Sequence, residues 1–552
     1  MPSNKLLPCS PVRSALLWFA LALLIHLPCN GMHSLWDRDE TRFAASAAEM
    51  IRTGDYVVPH LNGEPRYHKP VLIYYLMSIP MQLWGVNEFS ARFVSSLAGA
   101  SSVMIIFLLA LNMGAGTAGA SLAAAVALLS AMLFLISSAA TTDAVLTLTV
   151  LVGIYLYWQQ HERGFHYLIH LFFWIDMALT LLLKGPVGWL FVGSAIMFAT
   201  REHKPRWPSF PVRLGTGILI LLIIALPWAV LAWQRTSGEF FRELLGIHVW
   251  QRSLRPMEGH GGPLFYYLPI LLLDLFPASA LALLALRWGW ANRAAPAIRL
   301  LLGWCILPLI VFSLVRTKLP HYIAPLLPAF AVLIGLWWSH QTLRTNHVRW
   351  RKAGAIVMSL LGLALLLGPG IAAHSLNLHQ LFAPILTAEI VAGLGAIAGS
   401  ILWWRARMRQ ACIAWLAGAA LTYAILIFWG LRAIEPYRQP KLLLQELRAN
   451  CPPDIRLFAS GFTEASVFFY WNAPVTLAGK DEARQVFAAL HGNRPAALLV
   501  TEERWRNWLK EQPALTRTLI VHRPRREVFR FLRDPKRQLL LVSNCSKSQI
   551  RI

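Results

Sequence analysis

Long apolar runs, separated by short basic loops, fill most of the chain. A helix needs about 20 apolar residues to cross the hydrocarbon core of a bilayer, and most of these runs approach that length. They predict thirteen transmembrane helices, at residues 14–32, 91–111, 117–137, 143–160, 166–183, 186–200, 214–233, 264–286, 298–315, 322–339, 353–373, 383–404 and 411–429. We therefore expect a polytopic α-helical membrane protein whose first run is a retained anchor.

The positions of Lys and Arg set the expected orientation. These residues concentrate in loops near 163, 201–213, 287–299, 344–352 and 405–409, which the thirteen helices place on one side of the membrane. Basic loops face the cytoplasm. The opposite, outer face then receives the loop 33–90, the turn at 141–143, the loop 234–263, the turn at 316–322 and the segment after 431.

The first outer loop contains two further helical patterns. Residues 71–86 are apolar but short, aromatic-rich and interrupted by Pro80, and counting them as a span would invert every later loop. We expect this stretch to lie flat in the interface. Residues 40–53 alternate apolar and charged positions near the helical period, which predicts a second juxtamembrane helix lying on the surface.

The tail at 432–552 has shorter apolar runs and many arginines, and it predicts a small soluble α/β domain on the outer side. The runs at 455–459, 465–470, 496–500, 519–521, 528–532 and 539–542 indicate strands. Helical patterns occur at 440–449, 481–490 and 502–510. No catalytic motif is evident in this tail, so we expect it to position or cover the site rather than to react.

Composition excludes a soluble globular protein, because 56% of the residues are apolar and 23 are Trp. The net charge of +24 does not indicate nucleic-acid binding, since no basic stripe is interleaved with aromatics. Anionic lipid headgroups are the expected partners. The six cysteines lack metal-ligand spacing, and only Cys451 and Cys545 are placed to form a disulfide.

Charge is concentrated at one membrane edge, in the sequence Trp-Asp-Arg-Asp-Glu-Thr-Arg at 36–42, with Lys69 following. Ionisable side chains near hydrocarbon are costly, and only 14% of the residues are charged. The cluster indicates a site for a polar ligand. A solvated loop whose charges merely pair with each other is the alternative.

Several motifs resemble the lipid A aminoarabinose transferases, which belong with the protein O-mannosyltransferases among the type C glycosyltransferases. They are 36–42, Gly54–Leu61, Lys69-Pro70, Thr142-Asp143, Lys184-Gly185, Leu226-Pro227-Trp228, Gln251-Arg252, His260 ahead of Pro263 and Tyr266-Tyr267, and Lys318–Tyr322. The resemblance covers most of the membrane region. It implies an enzyme of the bacterial inner membrane whose catalytic loops face the periplasm.

The resemblance also implies the reaction. A transmembrane glycosyltransferase domain (1–431, with the catalytic loop 33–90) would move 4-amino-4-deoxy-L-arabinose from undecaprenyl phosphate to lipid A, beside a periplasmic domain (432–552). Amines added to lipid A lower its negative charge and its attraction for cationic peptides such as polymyxin. Transfer to protein or to another envelope glycan is one alternative. A lipid or glycan transporter, using Asp176 and Asp274 inside spans, is another.

Site roles follow from the chemistry that the resemblance implies. Breaking the bond between the sugar and the phosphate requires cations near the phosphate. Carboxylates must orient the acceptor and stabilise positive charge on the sugar, and Asp39 and Asp143 match the family's acidic positions, with Asp37 and Glu40 as weaker candidates. The expected donor phosphate-binding residues are Arg42, Lys69, Lys184, Arg252, Lys318 and Tyr322. A headgroup anchor, or for Tyr322 an aromatic-belt residue, is the alternative role.

The residue before Lys69 departs from the family pattern. Relatives carry Glu there, which helps hold a divalent metal with a later histidine, whereas this chain has His68. His68 and His260 could form a two-histidine zinc site, since neutral imidazole is a common zinc ligand. His60, His248 and His321 lie on the same face, where an interfacial histidine is the alternative.

Overall fold

A computed structural model describes residues 11–199, 210–256, 260–341, 348–375, 379–511, 520–522 and 538–545. Its first part is almost entirely helical. The helices are α1 (Pro11–Asn30), α2 (Glu40–Thr53), α3 (Leu72–Trp84), α4 (Glu88–Asn112), α5 (Gly116–Leu129), α6 (Ala131–Ser137), α7 (Asp143–Arg163), α8 (Tyr167–Lys184), α9 (Val187–Ala199), α10 (Phe210–Thr236), α11 (Glu239–Leu245), α12 (Arg252–Leu254), α13 (Tyr267–Asp274), α14 (Ser279–Ala291), α15 (Pro296–Leu314), α16 (Leu327–Gln341), α17 (Val348–Ser375), α18 (His379–Trp404), α19 (Met408–Ile425) and α20 (Leu431–Ile434).

Shorter elements join these helices. Strands β1 (His60–Leu61) and β2 (Glu64–Pro65) form a hairpin in the first loop. Single π-helical turns occur at Gly246–Gln251 and Leu426–Gly430, and 3₁₀ turns at Pro320–Leu326 and Glu435–Tyr437.

Among the residues that the structure describes, fewer helices qualify as membrane spans than the thirteen that the sequence predicts, so the count of thirteen stays a prediction. Among the described residues, eight helices are long and apolar enough to cross a bilayer, or up to ten if each bent pair forms one span. The predicted span 117–137 is broken between α5 and α6 by 63°, and the predicted span 264–286 is broken between α13 and α14 by 112°. Pro277 lies in the second break, where its missing N–H cannot continue a helix.

Small residues bring some of these helices very close together. A Cβ on Gly119 of α5 would collide with the carbonyl oxygen of Gly335 on α16, and a Cβ on Gly335 would lie 2.5 Å from the carbonyl oxygen of Gly119. Apolar helices in lipid associate through close van der Waals packing, which small residues permit. This contact fixes α16, and with it the turn that precedes it, against the N-terminal helices.

The helix predicted at 40–53 is confirmed, but its predicted surface position is wrong. Ten of its residues, Glu40, Thr41 and the run from Phe43 to Met50, are buried. Two of the charged positions, Glu40 and Glu49, are among the buried residues, and Glu49 accepts hydrogen bonds from the backbone N–H groups of Asn62 and Gly63 at 2.6 and 2.8 Å. The stretch predicted to lie in the interface is the helix α3, whose buried side includes Ile73, Tyr74 and Met77.

The C-terminal part is an α/β unit. It contains α21 (Gln439–Asn450), β3 (Arg456–Ser460), α22 (Ala465–Trp471), β4 (Val475–Leu477), α23 (Ala483–His491), β5 (Ala496–Thr501), α24 (Glu502–Glu511), β6 (Ile520–His522) and β7 (Leu539–Ser543). The sheet order is β4-β3-β5-β7-β6, with β4, β3 and β5 parallel and the last two pairings antiparallel. Separate apolar clusters cover its two faces.

Most of the elements predicted for this tail are present. The predicted strand at 465–470 is wrong, because these residues form the helix α22, and the strand predicted at 528–532 lies outside the described residues. β4 was not predicted. The predicted pairing of Cys451 with Cys545 is confirmed by a disulfide that joins the end of α21 to the residues after β7.

Candidate active site

A buried ion pair lies where the turn at 141–143 meets the end of α8. Asp143 is the first residue of α7 and Lys184 is the last residue of α8, and the Lys184 Nζ lies 2.5 Å from the Asp143 Oδ1. The other carboxylate oxygen faces His321, whose Nε2 lies 4.0 Å away. Two of the predicted site residues are therefore in direct contact, and His321 joins them.

The loop at 33–90 brings further charges to this pair. Asp143 interacts electrostatically with Lys69 as well as with Lys184 and His321. His321 in turn interacts with Asp39 and Lys69. We call Asp39, Lys69, Asp143, Lys184 and His321 the charged cluster.

The charged cluster is assembled from distant parts of the sequence, and its members differ in exposure. Asp143 is buried, Lys69 is half-buried, and Asp39 is exposed at the N-terminus of α2. The ring of Tyr322 lies beside the cluster, with the Lys184 Nζ 5.8 Å from its centroid. The arrangement gives a ligand access from the side of the first loop while Asp143 and Lys184 stay out of solvent.

Glu40 and Arg92 explain how the loop at 33–90 meets the turn at 141–143. The fully buried Arg92 donates to both carboxylate oxygens of Glu40, at 2.7 Å each. Its remaining N–H groups donate to the carbonyl oxygens of Asn30, His33 and Ser34 at 2.8–3.0 Å. Glu40 also accepts the backbone N–H of Ala140 at 2.7 Å. A planar guanidinium with five donors can bind several chain segments at once, so this pair holds Asp39 near the turn that carries Asp143.

Electrostatics keep Glu40 ionised. Burial by itself raises the pKa of this carboxyl, but the Arg92 charge and the hydrogen bonds from Arg92, Trp36 and Ala140 outweigh it and hold the pKa below its usual value. The weaker candidate Glu40 is thus fully occupied by structural partners. Asp37, the other weaker candidate, accepts the backbone N–H of Ser466 at 3.1 Å and the hydroxyl of Thr41 at 3.3 Å.

The other three basic residues that were predicted to bind the donor phosphate lie in different elements and differ in burial. Arg42 is half-buried in the first turn of α2. Arg252 begins the short helix α12, and its side chain lies outside the described part of the structure. The buried Lys318 donates to the carbonyl oxygens of Phe312, Ser313 and Val315, at 3.3, 2.6 and 2.9 Å.

The hydrogen bonds of Lys318 bear on its predicted role in binding the donor phosphate. An ammonium has three N–H donors, and at Lys318 all three are directed at the C-terminal end of α15. A lysine at a helix C-terminus satisfies carbonyls that have no partner within the helix. This geometry supports a capping role for Lys318, and phosphate binding by this residue stays a prediction.

The predicted two-histidine zinc site gains no further ligand. Within the described ranges, no three His, Cys, Asp or Glu side chains are grouped so as to hold a metal ion. His260 is exposed, and its carbonyl oxygen accepts the backbone N–H of Lys318 at 2.8 Å. Zinc sites in proteins use three or four ligands, so His68 and His260 alone do not make one. Metal binding by these residues stays a prediction, and no chemical step is assigned to a metal.

Sequence reasoning missed the roles of two residues. His321 was named among the histidines of one face, with an interfacial residue as the alternative, and its place in the motif with Lys318 and Tyr322 was the available signal for a role in the site. Arg92 carried no such signal, because an arginine within an apolar run is equally expected at a membrane edge. Its role depends on partners that the sequence does not place beside it.

Comparison with known proteins gives matches along most of the chain. Residues 12–238 match the family model for dolichyl-phosphate-mannose-protein mannosyltransferases. Two relatives are both described as undecaprenyl phosphate-α-4-amino-4-deoxy-L-arabinose arabinosyl transferases. The one from Pseudomonas aeruginosa strain UCBPP-PA14 is 32% identical, and the one from Pseudomonas paraeruginosa strain PA7 is 31% identical; each match covers 80% of this chain and 78% of the relative.

A solved structure shares the fold. The crystal structure of ArnT from Cupriavidus metallidurans bound to undecaprenyl phosphate superposes with a TM-score of 0.78 at 20% identity, covering 97% of this chain and 98% of that one. Its apo form gives a TM-score of 0.77 at 19% identity. From the sequence relatives, the chain belongs to the undecaprenyl phosphate-α-4-amino-4-deoxy-L-arabinose arabinosyl transferase family.

Proposed function

We propose that the protein transfers 4-amino-4-deoxy-L-arabinose from undecaprenyl phosphate to lipid A at the periplasmic face of the bacterial inner membrane. The observation that carries this proposal is the charged cluster, in which carboxylates and cations from five separate segments meet beside a membrane domain. The names of the relatives supply the donor, and the acceptor follows from the resemblance of the motifs.

The cations match the demands of the donor. As the bond between the sugar and the phosphate breaks, negative charge grows on the leaving phosphate, and preorganised positive groups stabilise that charge. Lys69 and Arg42, which are both half-buried, are the proposed phosphate contacts. Lys184 is held by Asp143, so it adds positive charge at a fixed position rather than on a mobile arm.

Asp39 is the proposed acceptor-side carboxylate. It is exposed at the start of α2 and acts electrostatically on His321, so it can reach a ligand and the charged cluster together. A phosphate acceptor on lipid A is already ionised at neutral pH, so it needs orientation more than deprotonation. Asp39 then orients the acceptor and stabilises positive charge on the sugar.

The proposal includes the membrane topology of the protein. We place a transmembrane glycosyltransferase domain at 1–431, with thirteen spans, and a periplasmic α/β domain at 432–552. The Cys451–Cys545 disulfide supports this sidedness, because disulfides persist in oxidising compartments such as the periplasm. The basic loops that the spans place in the cytoplasm support it as well.

The competing transporter function depends on different residues. Asp176 and Asp274 are buried within helices, and the Oδ2 of each has no hydrogen-bond partner within the described part of the chain. Carboxyl groups inside a membrane mark ion or substrate pathways in transporters. A transporter is therefore sensitive to change at Asp176, whereas a transferase is sensitive at Asp39.

Mass spectrometry of lipid A tests the proposal. Cells with and without the gene are compared with cells that express Asp39→Asn or Asp176→Asn at the level of the wild type. We expect a pentosamine addition that requires the gene, disappears with Asp39→Asn and persists with Asp176→Asn. Lipid A that is the same with and without the gene would reject lipid A as the acceptor, and loss with Asp176→Asn alone would favour transport.

A further inference from the structure

The chain that leads into Asp39 has no regular secondary structure of its own. Residues 34–37, which we call the strap, connect the end of α1 to the start of α2 and are bonded largely to the C-terminal part of the protein. Ser34 and Leu35 are buried. Buried backbone groups need hydrogen-bond partners, so the path of the strap depends on the residues that provide them.

Arg438 binds the strap through its guanidinium. Its Nη1 donates to the carbonyl oxygen of Ser34, and its Nη2 donates to the carbonyl oxygen of Leu35. The guanidinium carbon lies 4.3 Å from the centre of the Trp36 ring, which is a cation–π distance. Three successive strap residues therefore contact one side chain, which is itself buried.

Glu435 and Tyr470 bind the N–H groups of the strap. The backbone N–H of Ser34 donates to the Glu435 carboxylate at 3.0 and 3.2 Å, and the Ser34 hydroxyl also donates to it. The backbone N–H of Leu35 donates to the Tyr470 hydroxyl at 2.8 Å. That hydroxyl in turn donates to Glu88 at 3.1 Å, so Tyr470 links the strap to the start of α4.

The loop before α22 holds the end of the strap. Asp37 accepts the backbone N–H of Ser466 in the first turn of α22, and Arg38 forms an ion pair with Glu464 at 3.7 Å. Arg38 has a φ of 75°, a left-handed conformation that is rare for a residue with a Cβ. Such a conformation persists only where the surroundings hold it, and here it immediately precedes Asp39.

We propose that the α/β unit, together with Glu435 and Arg438 just before it, positions Asp39 for catalysis by holding the strap, with Arg438 and Tyr470 as positioning residues. The inference rests on the proposed function, in which Asp39 acts on the acceptor. Glu40 fixes Asp39 from its C-terminal side through Arg92, and the strap contacts fix it from its N-terminal side. Neither Arg438 nor Tyr470 needs to touch a substrate in this role.

Two conservative variants test the proposal in the full-length protein. Tyr470→Phe removes one hydroxyl and keeps the ring, while Arg438→Lys keeps the charge but loses the two-pronged contact with Ser34 and Leu35. Arg506→Gln is the matched control, because the Arg506 side chain is exposed on α24 and, within the described residues, pairs with Glu502 one helical turn away at 2.8 Å. Hydrogen exchange of the amides of residues 33–42 is measured beside kcat and KM for the undecaprenyl-phosphate-linked donor.

We expect both variants to fold and the hydrogen exchange of their strap amides to be about tenfold faster than in the wild type. Their kcat should fall about 10- to 100-fold, with little change in the KM for the donor. Arg506→Gln should match the wild type. The proposal would be overturned if hydrogen exchange became faster at the Leu35 amide alone, while exchange at the Trp36 amide and the kcat value stayed unchanged. If the strap loosens in the variants but the wild type does not use this donor, the proposed function fails while the positioning contact stands.

Discussion

At the scale of single residues, the buried pair of Glu40 and Arg92 makes the most consequential contact outside the charged cluster. Both side chains are removed from solvent, and every N–H of Arg92 has a partner. Breaking a buried ion pair on one side leaves a buried charge without compensation, which costs about 3–5 kcal/mol. The pair should therefore matter for folding as well as for the placement of Asp39.

Arg92→Leu should destabilise the protein by about 3–5 kcal/mol at neutral pH and reverse the acid dependence of its stability. In the wild type, the pKa of Glu40 lies below its usual value, so its contribution is present above that usual value and is lost as the pH falls through the lowered one. Without Arg92, burial raises the pKa, and acidification toward about pH 5 should then recover stability by neutralising Glu40. Thermal unfolding in detergent from pH 4 to 8 measures both trends; parallel curves for variant and wild type would contradict this account.

The residue scale also shows how far the sequence defines the site. Asp39 was ranked above Asp37 and Glu40 in the motif at 36–42, but structural partners could not be assigned to these residues from the sequence. The partners that hold Asp37 and Glu40 lie 429 residues away at Ser466 and 52 residues away at Arg92. Such pairings depend on the assembled fold, so local pattern cannot supply them.

At the scale of elements, the patterns located helices well and short apolar segments less well. The helix at 40–53 has the predicted bounds, because its apolar positions recur near the helical period. The run 465–470 is apolar at nearly every position, so it has no period that separates a helix from a strand, and in the fold it is the helix α22 packed against α2. The three-residue strand β4 is too short to show a pattern.

The contact between α5 and α16 provides a test at this scale. Gly119→Ala should destabilise the helix bundle, because the new methyl group would meet the Gly335 carbonyl oxygen and the Ser339 hydroxyl. Overpacking a tight contact costs about 1–3 kcal/mol. The folded fraction in detergent, followed by size-exclusion chromatography during heating, measures the loss. Gly193→Ala in α9 is the control, since its Cβ would meet nothing within 4 Å; equal melting of the two variants would argue against the close packing.

At the scale of the whole molecule, the membrane helices and the α/β unit depend on each other through the first loop. Besides the strap, Asn62 in the β1–β2 hairpin exchanges two hydrogen bonds with the backbone of Val475, each at 2.9 Å. Lys441 of α21 pairs with Glu88 of α4 at 2.7 Å. The sequence indicated two parts of different character, but the contacts between them involve single residues in loops and in the first turns of helices, which carry no periodic signal.

Because the α/β unit contains a disulfide, the support that it gives to the first loop should depend on whether that disulfide is oxidised or reduced. Cys451 and Cys545 join positions 94 residues apart, and removing a native disulfide typically costs about 2–5 kcal/mol. Replacing both by Ser should lower the melting temperature of the α/β unit and, because that unit holds the strap, also slow transfer. Reductant should bring the wild type to the behaviour of the double variant and leave the double variant unchanged. Thermal unfolding and transfer rates with and without dithiothreitol measure this. A double variant that melts earlier but transfers at the full rate would show that the order of the α/β unit is not coupled to the charged cluster.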